Sequence, residues 1–224
     1  MPAEPATATP PDTVLRIARR GGLCRFSTIN PVDAALPRAG NRFDVVGGGV
    51  LYAGTSPDAC YAETLSRFRP TPVIRELLKE NDPGFMVVGG VPQDWRLQRV
   101  MGELALVDPL PFLDVEHPTT HAHLSDVLAP ELVALGYKAG IDISDVCNQD
   151  RRLSRAIADY AFTATEPDGT STYSGIRYMS RISSQWECWA IFEGTQVEIK
   201  DERGLQLNDA ALESVANMWD LRIF

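Results

Sequence analysis

Length, composition and charge are those of an acidic globular domain. The 224 residues carry a formal net charge of -9 and are 44% hydrophobic, so the chain can bury the core of one domain but lacks the cationic surface that a general binder of nucleic acid or anionic membranes needs. The four cysteines form no CxxC pair and no apolar run is long enough to cross a bilayer, which excludes zinc-ribbon and thioredoxin-like sites and predicts a cytoplasmic protein with reduced thiols.

The first half of the chain predicts short elements around a long loop. Residues 1–11, rich in Pro, Ala and Thr, predict a disordered tail. The elements that follow are a helix over 12–20, a strand over 23–27, a loop over 31–49, a strand over 50–53, and helices over 57–68 and 72–79. Ser56 is a good N-cap and Pro57 suits the first helical position, which marks where the helix over 57–68 begins.

The second half mixes strands and helices without a strict βαβ rhythm. Its predicted elements are strands over 85–88 and 104–107 separated by a turn at 92–95, a helical piece over 121–135 that is interrupted or restarted at Pro130, an amphipathic helix over 150–162, strands over 176–180, 188–192 and 197–200, and a final helix over 208–219. This mixture favours a single α+β domain over 12–224 rather than a doubly wound sheet.

Glu63 lies on the predicted helix over 57–68, opposite its bulky apolar stripe of Tyr61, Leu65 and Phe68. The pattern is that of an exposed glutamate, because glutamate is seldom buried. The small residues around Glu63 also leave space for a ligand beside the carboxylate. The helix pattern alone therefore leaves both interpretations open.

Two arginines are candidates for binding an anion. Arg25 lies in the apolar stretch over 23–27, where a cation needs a partner, and a structural ion pair is as compatible with this position as an anion site. Arg42 lies in a glycine-containing loop, where a solvated side chain is the ordinary outcome. Together, the two guanidinium groups offer planar donors that suit a pyrophosphate.

Tyr52 and Ser180 lie on predicted strands. A strand tyrosine usually belongs to the core, but its ring can also stack on a flat heterocycle while its hydroxyl reaches a polar neighbour. Ser180 shares the strand face of Ile176 and Tyr178. A single serine carries almost no specificity on its own.

The three histidines, His117, His121 and His123, fall close together beside several carboxylates. They supply ligand types that zinc or another divalent ion uses. However, Pro118 interrupts the helical register, so an exposed polar connection is the favoured interpretation and no metal site is predicted.

Seven short motifs follow one another between residues 23 and 192. They are LCRF at 23–26, GNRFD at 40–44, VLY at 50–52, AETL at 62–65, DRRLSRAIA at 150–158, GIRYMSR at 175–181 and WAIF at 189–192. Their order and spacing resemble the RES family, named for its arginine, glutamate and serine. The chain departs from that family at Phe43 and Asp44, where the loops commonly read Gly-Gly-Arg-Trp-Asn, and at Cys24, where an aromatic residue is frequent.

The resemblance implies an ADP-ribosyltransferase-like core, which is a mixed, split β-sheet flanked by helices with a cleft for NAD. A C-terminal helical extension over 201–224 lies outside it. Characterised members are toxins of toxin–antitoxin pairs that destroy NAD. The implied activity is therefore cleavage of the nicotinamide–ribose bond by phosphorolysis or hydrolysis, with a small cognate antitoxin as partner. NAD is then the substrate, inorganic phosphate or water is the acceptor, and no separate cofactor is implied.

By the same resemblance, the catalytic set is Arg25, Tyr52, Glu63 and Ser180. Arg25 and Arg42 would hold the pyrophosphate, Tyr52 would contact the nicotinamide ribose or ring, and Ser180 would hydrogen-bond the ligand. Glu63 would stabilise the positive charge that develops on the ribose. Two alternatives stay open, an ADP-ribosyltransferase that modifies a macromolecule and a non-catalytic interaction protein. The sequence also leaves open whether the chain forms a homo-oligomer.

Overall fold

An eight-stranded mixed sheet organises the part of the chain that the computed structural model describes, residues 4–78 and 88–224. The strands are β1 (Thr7–Ala8), β2 (Thr13–Arg19), β3 (Val50–Gly54), β4 (Gly90–Val91), β5 (Arg99–Val107), β6 (Phe112–Asp114), β7 (Gly175–Met179), β8 (Glu187–Phe192), β9 (Gln196–Gly204) and β10 (Arg222–Ile223). The spatial order in the large sheet is β1-β6-β7-β8-β3-β2-β5-β9. Strands β6 and β7 are parallel and the other neighbouring pairs of this sheet are antiparallel, while β4 and β10 form a separate parallel pair.

Helices flank the large sheet. They are α1 (Pro31–Ala34), α2 (Pro57–Leu65) with a 3-10 turn at Ser66–Phe68, α3 (Pro72–Leu78), α4 (Gln93–Leu97), α5 (Pro118–Val127), α6 (Ala129–Ala134), α7 (Ile143–Val146), α8 (Arg151–Thr163) and α9 (Ala210–Trp219). This architecture confirms the predicted α+β class, a single domain with a mixed sheet flanked by helices. In the described part of the chain, no helix is both long and apolar enough to span a membrane.

The large sheet is almost divided between β2 and β3. All seven residues of β2 pair with β5, whereas β2 meets β3 only at Leu15 and Gly54. On its other edge, β3 pairs with β8 along its whole length. The two halves of the sheet therefore separate on either side of one residue pair, and this opening provides the cleft described below.

Buried apolar side chains fix both faces of the sheet and the helix α2. One cluster packs α8 against the face that carries Val50 and Ile176, and a second cluster covers the opposite face. A third cluster packs α2 against α9 through residues that include Tyr61 and Leu65, both 0% exposed. Burying each such side chain contributes roughly 1.5–3 kcal/mol, so α2 is held firmly against the domain.

The predicted helix over 12–20 is wrong, because these residues form the strand β2. Val14 is fully buried on one side of the strand while Leu15 and Ile17 pack on the other, which is the two-residue period of a strand. The complete ladder with β5 supplies the backbone hydrogen bonds that a helix would have made internally. Tertiary pairing thus overrides a weak local helix preference.

The predicted strand over 23–27 is also wrong. The chain leaves β2 through Gly21, at φ 72, and turns so that the Arg25 amide donates to the carbonyl of Gly22 at 3.2 Å. Only an isolated bridge between Ser27 and Val50 remains of the strand. The turn directs Leu23 onto Gly102 of β5, where a Cβ atom would lie 2.5 Å from the leucine side chain.

The chain ends differ from the prediction as well. In place of a disordered tail, Thr7 and Ala8 pair with β6, and the Ala6 amide donates to Thr120 Oγ1 at 3.0 Å. The tail covers backbone groups at the edge of the sheet that water would otherwise have to satisfy. The segment over 201–224 is not simply helical, because it begins inside β9 and ends in β10.

Smaller differences concern boundaries. The predicted turn at 92–95 is the start of α4, and the final helix is capped by Asp209 rather than Asn208. The predicted helical piece over 121–135, interrupted or restarted at Pro130, is two helices, α5 and α6, of which the first begins earlier, at Pro118. The predicted strand over 85–88 lies, for residues 85–87, outside the described residues.

Candidate functional site

A cleft of about 360 Å³ opens where β2 and β3 separate. Residues from β2, β3 and α2 line it, together with the loop before β3, the start of α8 and the residues after β7. Among the described residues that line it, the charged ones are four arginines and one glutamate: Arg16, Arg42, Arg151, Arg181 and Glu63. In a chain with a net charge of -9, this local excess of cations indicates an anionic ligand.

Glu63 and Ser180 meet at this cleft. The N-cap Ser56 accepts a hydrogen bond from the Ala59 amide, so α2 begins at Pro57 and turns Glu63 away from its buried face. The carboxylate is exposed, as the helix pattern indicated, but it is exposed to the cleft. Ser180, which is 4% exposed, donates its hydroxyl proton to Glu63 Oε1 at 2.6 Å and accepts from the Ile182 amide at 3.1 Å.

Arg42 is buried rather than solvated, which corrects the ordinary expectation for a loop arginine. Its side chain is 9% exposed and lies about 5 Å from the ring centroids of Phe43 and Tyr178. Its guanidinium donates to the carbonyls of Met179 at 3.1 Å and Val146 at 3.0 Å. These contacts fix the planar group at the edge of the cleft.

Arg16, and not Arg25, is the arginine that the N-terminal region contributes to the cleft. Arg16 Nη2 donates to the backbone carbonyl of Arg25 at 2.9 Å, while the side chain of Arg25 is exposed and outside the cleft lining. Burial lowers the pKa of the Arg16 guanidinium, and nearby Cys24 and Cys60 partly oppose this effect. The structure therefore does not place the side chain of Arg25 in this cleft.

Two guanidinium nitrogens in the cleft have no hydrogen-bond partner. Among the described residues, the buried side-chain atoms without one are Arg16 Nη1, Arg42 Nε and Trp95 Nε1, so two of the three lie on this cleft. A buried donor left unsatisfied costs on the order of 1–3 kcal/mol. Both nitrogens belong to arginines that line the cleft, so a ligand oxygen that reached either one would offset this cost.

Tyr52 presents its ring to the cleft while the protein holds its hydroxyl. The hydroxyl donates to Asp44 Oδ1 at 2.8 Å and accepts from the Phe43 amide at 3.0 Å. Burial, and next the charge of Asp44, raise the pKa of Tyr52 well above its ordinary value, so the phenol stays protonated. The polar neighbour that the sequence left unnamed is Asp44.

The two unusual loop residues have buried structural roles. Phe43 is 0% exposed and packs against Tyr178, with ring centroids 4.8 Å apart. Asp44 is 1% exposed and accepts hydrogen bonds from the Ser27 hydroxyl, the Asn41 backbone amide and the Tyr52 hydroxyl. Since Asn41 and Tyr52 line the cleft, Asp44 supports its wall from behind.

Small and neutral residues, namely Gly54, Cys60 and Cys188, form the floor of the cleft beside Glu63. Cys60 and Cys188 line it as buried free thiols, as the sequence indicated for the cysteines in general, although Cys24 is exposed. Burial raises the pKa of Cys60 to about 12, so this thiol is neutral, and it donates to the carbonyl of Leu15 at 3.1 Å. A Cβ atom at Gly54 would lie 3.3 Å from the Cys60 sulfur, so glycine keeps this part of the floor open.

The histidines lie at and within α5 and have structural contacts, and only His117 is exposed. His117 caps the helix and accepts from the Thr119 amide, whereas His121 is 8% exposed with Nε2 2.8 Å from the carbonyl of Val115. His123 Nε2 lies 2.7 Å from the Tyr160 hydroxyl. No group of three or more His, Cys, Asp or Glu side chains suited to holding a metal occurs among the residues that the structure describes.

The comparison with protein families decides the family. The model of the RES domain matches residues 13–208, which is most of the chain. This chain belongs to the RES domain family. The RES match begins at β2 and so includes Arg16, which the motifs between residues 23 and 192 left out.

Solved structures and curated proteins provide two further comparisons for this RES domain. A chain of the M. tuberculosis MbcT–MbcA toxin–antitoxin complex aligns with 95% of this chain and 91% of that chain, with a TM-score of 0.45 and 10% sequence identity. The comparison with curated proteins gave no match.

Sequence reasoning missed three of the arginines in the RES cleft, Arg16, Arg151 and Arg181. For Arg16 a signal existed, because a cation that shares a strand face with Val14 and Ala18 needs a buried anion or polar site once the segment is taken as a strand. For Arg151 and Arg181 no local signal distinguishes them from exposed arginines. Only the fold brings them to the cleft.

Proposed function

We propose that this RES protein cleaves the nicotinamide–ribose bond of NAD, by phosphorolysis or hydrolysis, and that it is the toxin of a toxin–antitoxin pair. The observation that carries the proposal is Glu63, hydrogen-bonded to the buried Ser180, in a cleft whose other charged lining residues are arginines. The toxin role and the cognate antitoxin follow from the resemblance to characterised RES proteins.

The arginines suit the charged part of NAD. A pyrophosphate carries two negative charges and several acceptor oxygens, and planar guanidinium groups bind such oxygens in pairs. Arg16 Nη1 and Arg42 Nε are the donors with unused capacity. In this proposal Arg16 takes the role that the sequence assigned to Arg25, and Arg42 keeps the role assigned to it.

Glu63 supplies the electrostatic contribution to bond cleavage. As nicotinamide leaves with the electrons of the glycosidic bond, positive charge develops at C1 of the ribose, and a fixed carboxylate stabilises that charge. Phosphate or water then forms the new bond to C1. Because the proton of Ser180 is directed to Glu63, we assign Ser180 to orienting the carboxylate rather than to contacting NAD.

Tyr52 and the thiol floor suit the uncharged part of NAD. The Tyr52 hydroxyl is engaged by Asp44, so its ring rather than its hydroxyl is available to a flat heterocycle. The neutral Cys60 thiol and Gly54 add an uncharged surface next to Glu63. This arrangement supports the nicotinamide end lying near Glu63 and the pyrophosphate near the arginines.

Mass spectrometry of the products tests the proposal. Purified protein is incubated with NAD, with and without inorganic phosphate. ADP-ribose alone indicates hydrolysis, and a phosphate adduct of ADP-ribose indicates phosphorolysis. A mass increase of an added macromolecule would instead establish an ADP-ribosyltransferase, and intact NAD under both conditions would favour a non-catalytic interaction protein.

A further inference from the structure

Helix α8 holds the backbone of the segment that brings Arg42 to the cleft. Arg151, Ser154 and Arg155 occupy positions i, i+3 and i+4, so they share one helix face. Arg151 Nη1 donates to the carbonyl of Gly40, and Ser154 Oγ donates to the carbonyl of Arg42 at 2.5 Å. The helix therefore holds the main-chain carbonyl groups of Gly40 and of Arg42 itself.

Arg155 makes the most extensive of these contacts. Its guanidinium donates to the carbonyls of Ala39 at 2.8 Å, Ala34 at 2.7 Å and Leu36 at 2.6 Å. The side chain is 6% exposed, and it gathers three carbonyl groups that lie within six residues of one another. A guanidinium group, with five donors in a fixed planar fork, can satisfy three such acceptors together.

The segment before Arg42 has little apolar contact with the domain. The helix α1 buries none of its residues, and Val32 and Leu36 are 80% and 53% exposed. Gly40, at φ 63, passes so close to Ile29 that a Cβ atom would lie 2.6 Å from its side chain. Hydrogen bonds from α8, rather than side-chain burial, are thus the main contacts that order residues 34–40.

We propose that Arg155 is a positioning residue for the cleft, which sets the backbone of residues 34–42 so that Asn41 and Arg42 meet an anionic ligand without first having to be ordered. Preordering a binding segment raises affinity because the entropy of ordering is already lost in the free protein. The identity of the ligand as NAD rests on the proposed function. The role of Arg155 in ordering the segment does not.

Kinetics of the full chain provide the first test. Arg155→Ala removes all three hydrogen bonds, and Arg155→Lys keeps the charge without the planar group. We expect both to raise KM for NAD by on the order of tenfold while kcat stays within about twofold, because the defect lies in binding. The matched control is Arg152→Ala, whose guanidinium pairs with Asp150 on the partly exposed side of the same helix, and it should change neither value.

Limited proteolysis tests the ordering of the segment without NAD. Arg38 is exposed and is a trypsin site inside the segment, so cleavage after Arg38 requires residues 34–42 to open locally. We expect this cut, identified by mass spectrometry, to be faster in Arg155→Ala and Arg155→Lys, and intermediate in Ser154→Ala, where little volume is lost. Thermal unfolding shows whether each variant is folded.

Binding of inorganic pyrophosphate separates this inference from the proposed function. Calorimetric titration should show weaker binding to both Arg155 variants than to Arg152→Ala. Unchanged pyrophosphate binding together with an unchanged rate of cleavage after Arg38 in folded Arg155→Ala would overturn the positioning role. Absence of NAD turnover by the wild-type protein would instead reject the proposed function, and the pyrophosphate and proteolysis results would still decide the role of Arg155.

Discussion

At the scale of single residues, one hydroxyl proton holds the carboxylate on which the proposed chemistry depends. Ser180 Oγ lies 2.6 Å from Glu63 Oε1 and is buried, while Glu63 faces the cleft. The Ser180 hydroxyl is itself held by the Ile182 amide, so the carboxylate that accepts its proton has few orientations. This preorganisation is the condition under which an electrostatic contribution to a transition state is large.

Glu63→Gln keeps the volume of the side chain and removes its charge. Because the charge acts mainly as the ribose–nicotinamide bond breaks, kcat should fall on the order of 100-fold or more, with little change in KM. Steady-state assays of NAD loss measure both constants. Wild-type turnover by the purified variant would mean that Glu63 is only an exposed glutamate.

Ser180→Ala removes the donor and leaves Glu63 charged. We expect kcat to fall by roughly tenfold, less than in Glu63→Gln, because the charge remains but is less well oriented. The double variant should be no slower than Glu63→Gln alone, since Ser180 acts through Glu63. Multiplying losses in the double variant would contradict the positioning role.

Arg16 and Arg25 provide a matched pair of substitutions. Arg16→Ala should raise KM for NAD by roughly 10-fold to 100-fold, because it removes a charged donor from the cleft. Arg25→Ala should leave KM near the wild-type value, because the group of Arg25 that Arg16 contacts is the main-chain carbonyl. A larger increase in KM for Arg25→Ala than for Arg16→Ala would restore the pyrophosphate-binding role that the sequence assigned to Arg25.

The sequence identified some residues of this site and missed others, and each outcome has a physical reason. Glu63 lies in the capped helix α2 and Tyr52 in the strand before it, and the local patterns left their roles open, so the resemblance to the RES family was what pointed to them. The contact of Glu63 with Ser180 joins residues 117 positions apart, and no local pattern contains that information. Arg25 was a candidate because an arginine inside an apolar strand needs a partner and because the resemblance implied a role for it, and the turn at Gly21 removes the first of these two reasons.

At the scale of elements, strand β2 was the hardest to predict. Strand β2 lies between β5 and β3, and its arginine-containing sequence looks helical until the ladder with β5 is known. Elements with local start signals were predicted well, such as α2 after Ser56 and α8 after Asp150. Local signals thus indicate where a helix begins, whereas sheet order depends on contacts distant in sequence.

Asp209 links the C-terminal helix α9 to α2. It caps α9 by accepting from the Ala211 amide, and it also accepts from Tyr61 at 3.0 Å and Arg203 at 2.7 Å. Burial acts to raise the pKa of this carboxyl, but the hydrogen bonds from Arg203 and Tyr61 outweigh burial, so the pKa lies below its ordinary value. The ionised form therefore stabilises the fold.

Asp209→Ala should lower the free energy of unfolding at pH 7 by about 1–2 kcal/mol, since it removes both a cap and a partner of buried Tyr61. Because the folded pKa is depressed, this stabilisation is complete above about pH 4 and is lost as the pH falls through the folded value. Urea unfolding at pH 7 and at pH 3 checks this. A difference between wild type and variant that grows in acid would contradict it.

At the scale of the whole molecule, an acidic chain concentrates cations at one opening of its sheet. The net charge of -9 excludes a general binder of nucleic acid, yet the cleft lining carries four arginines and one carboxylate among the described residues. Net charge describes the whole surface, whereas recognition depends on the local field within a cleft. Composition alone could not have predicted the cationic cleft, because the four arginines that line it come from four separate regions of the chain.

The most direct measurement of the central claim is the release of free nicotinamide from NAD, followed by chromatography, for wild-type protein and Glu63→Gln at equal concentration. The account predicts that the wild type releases nicotinamide in proportion to NAD lost. It also predicts that Glu63→Gln, folded and still able to bind NAD, releases it on the order of 100-fold more slowly or worse. No release by the wild type, with or without phosphate, or equal release by both proteins, would contradict it.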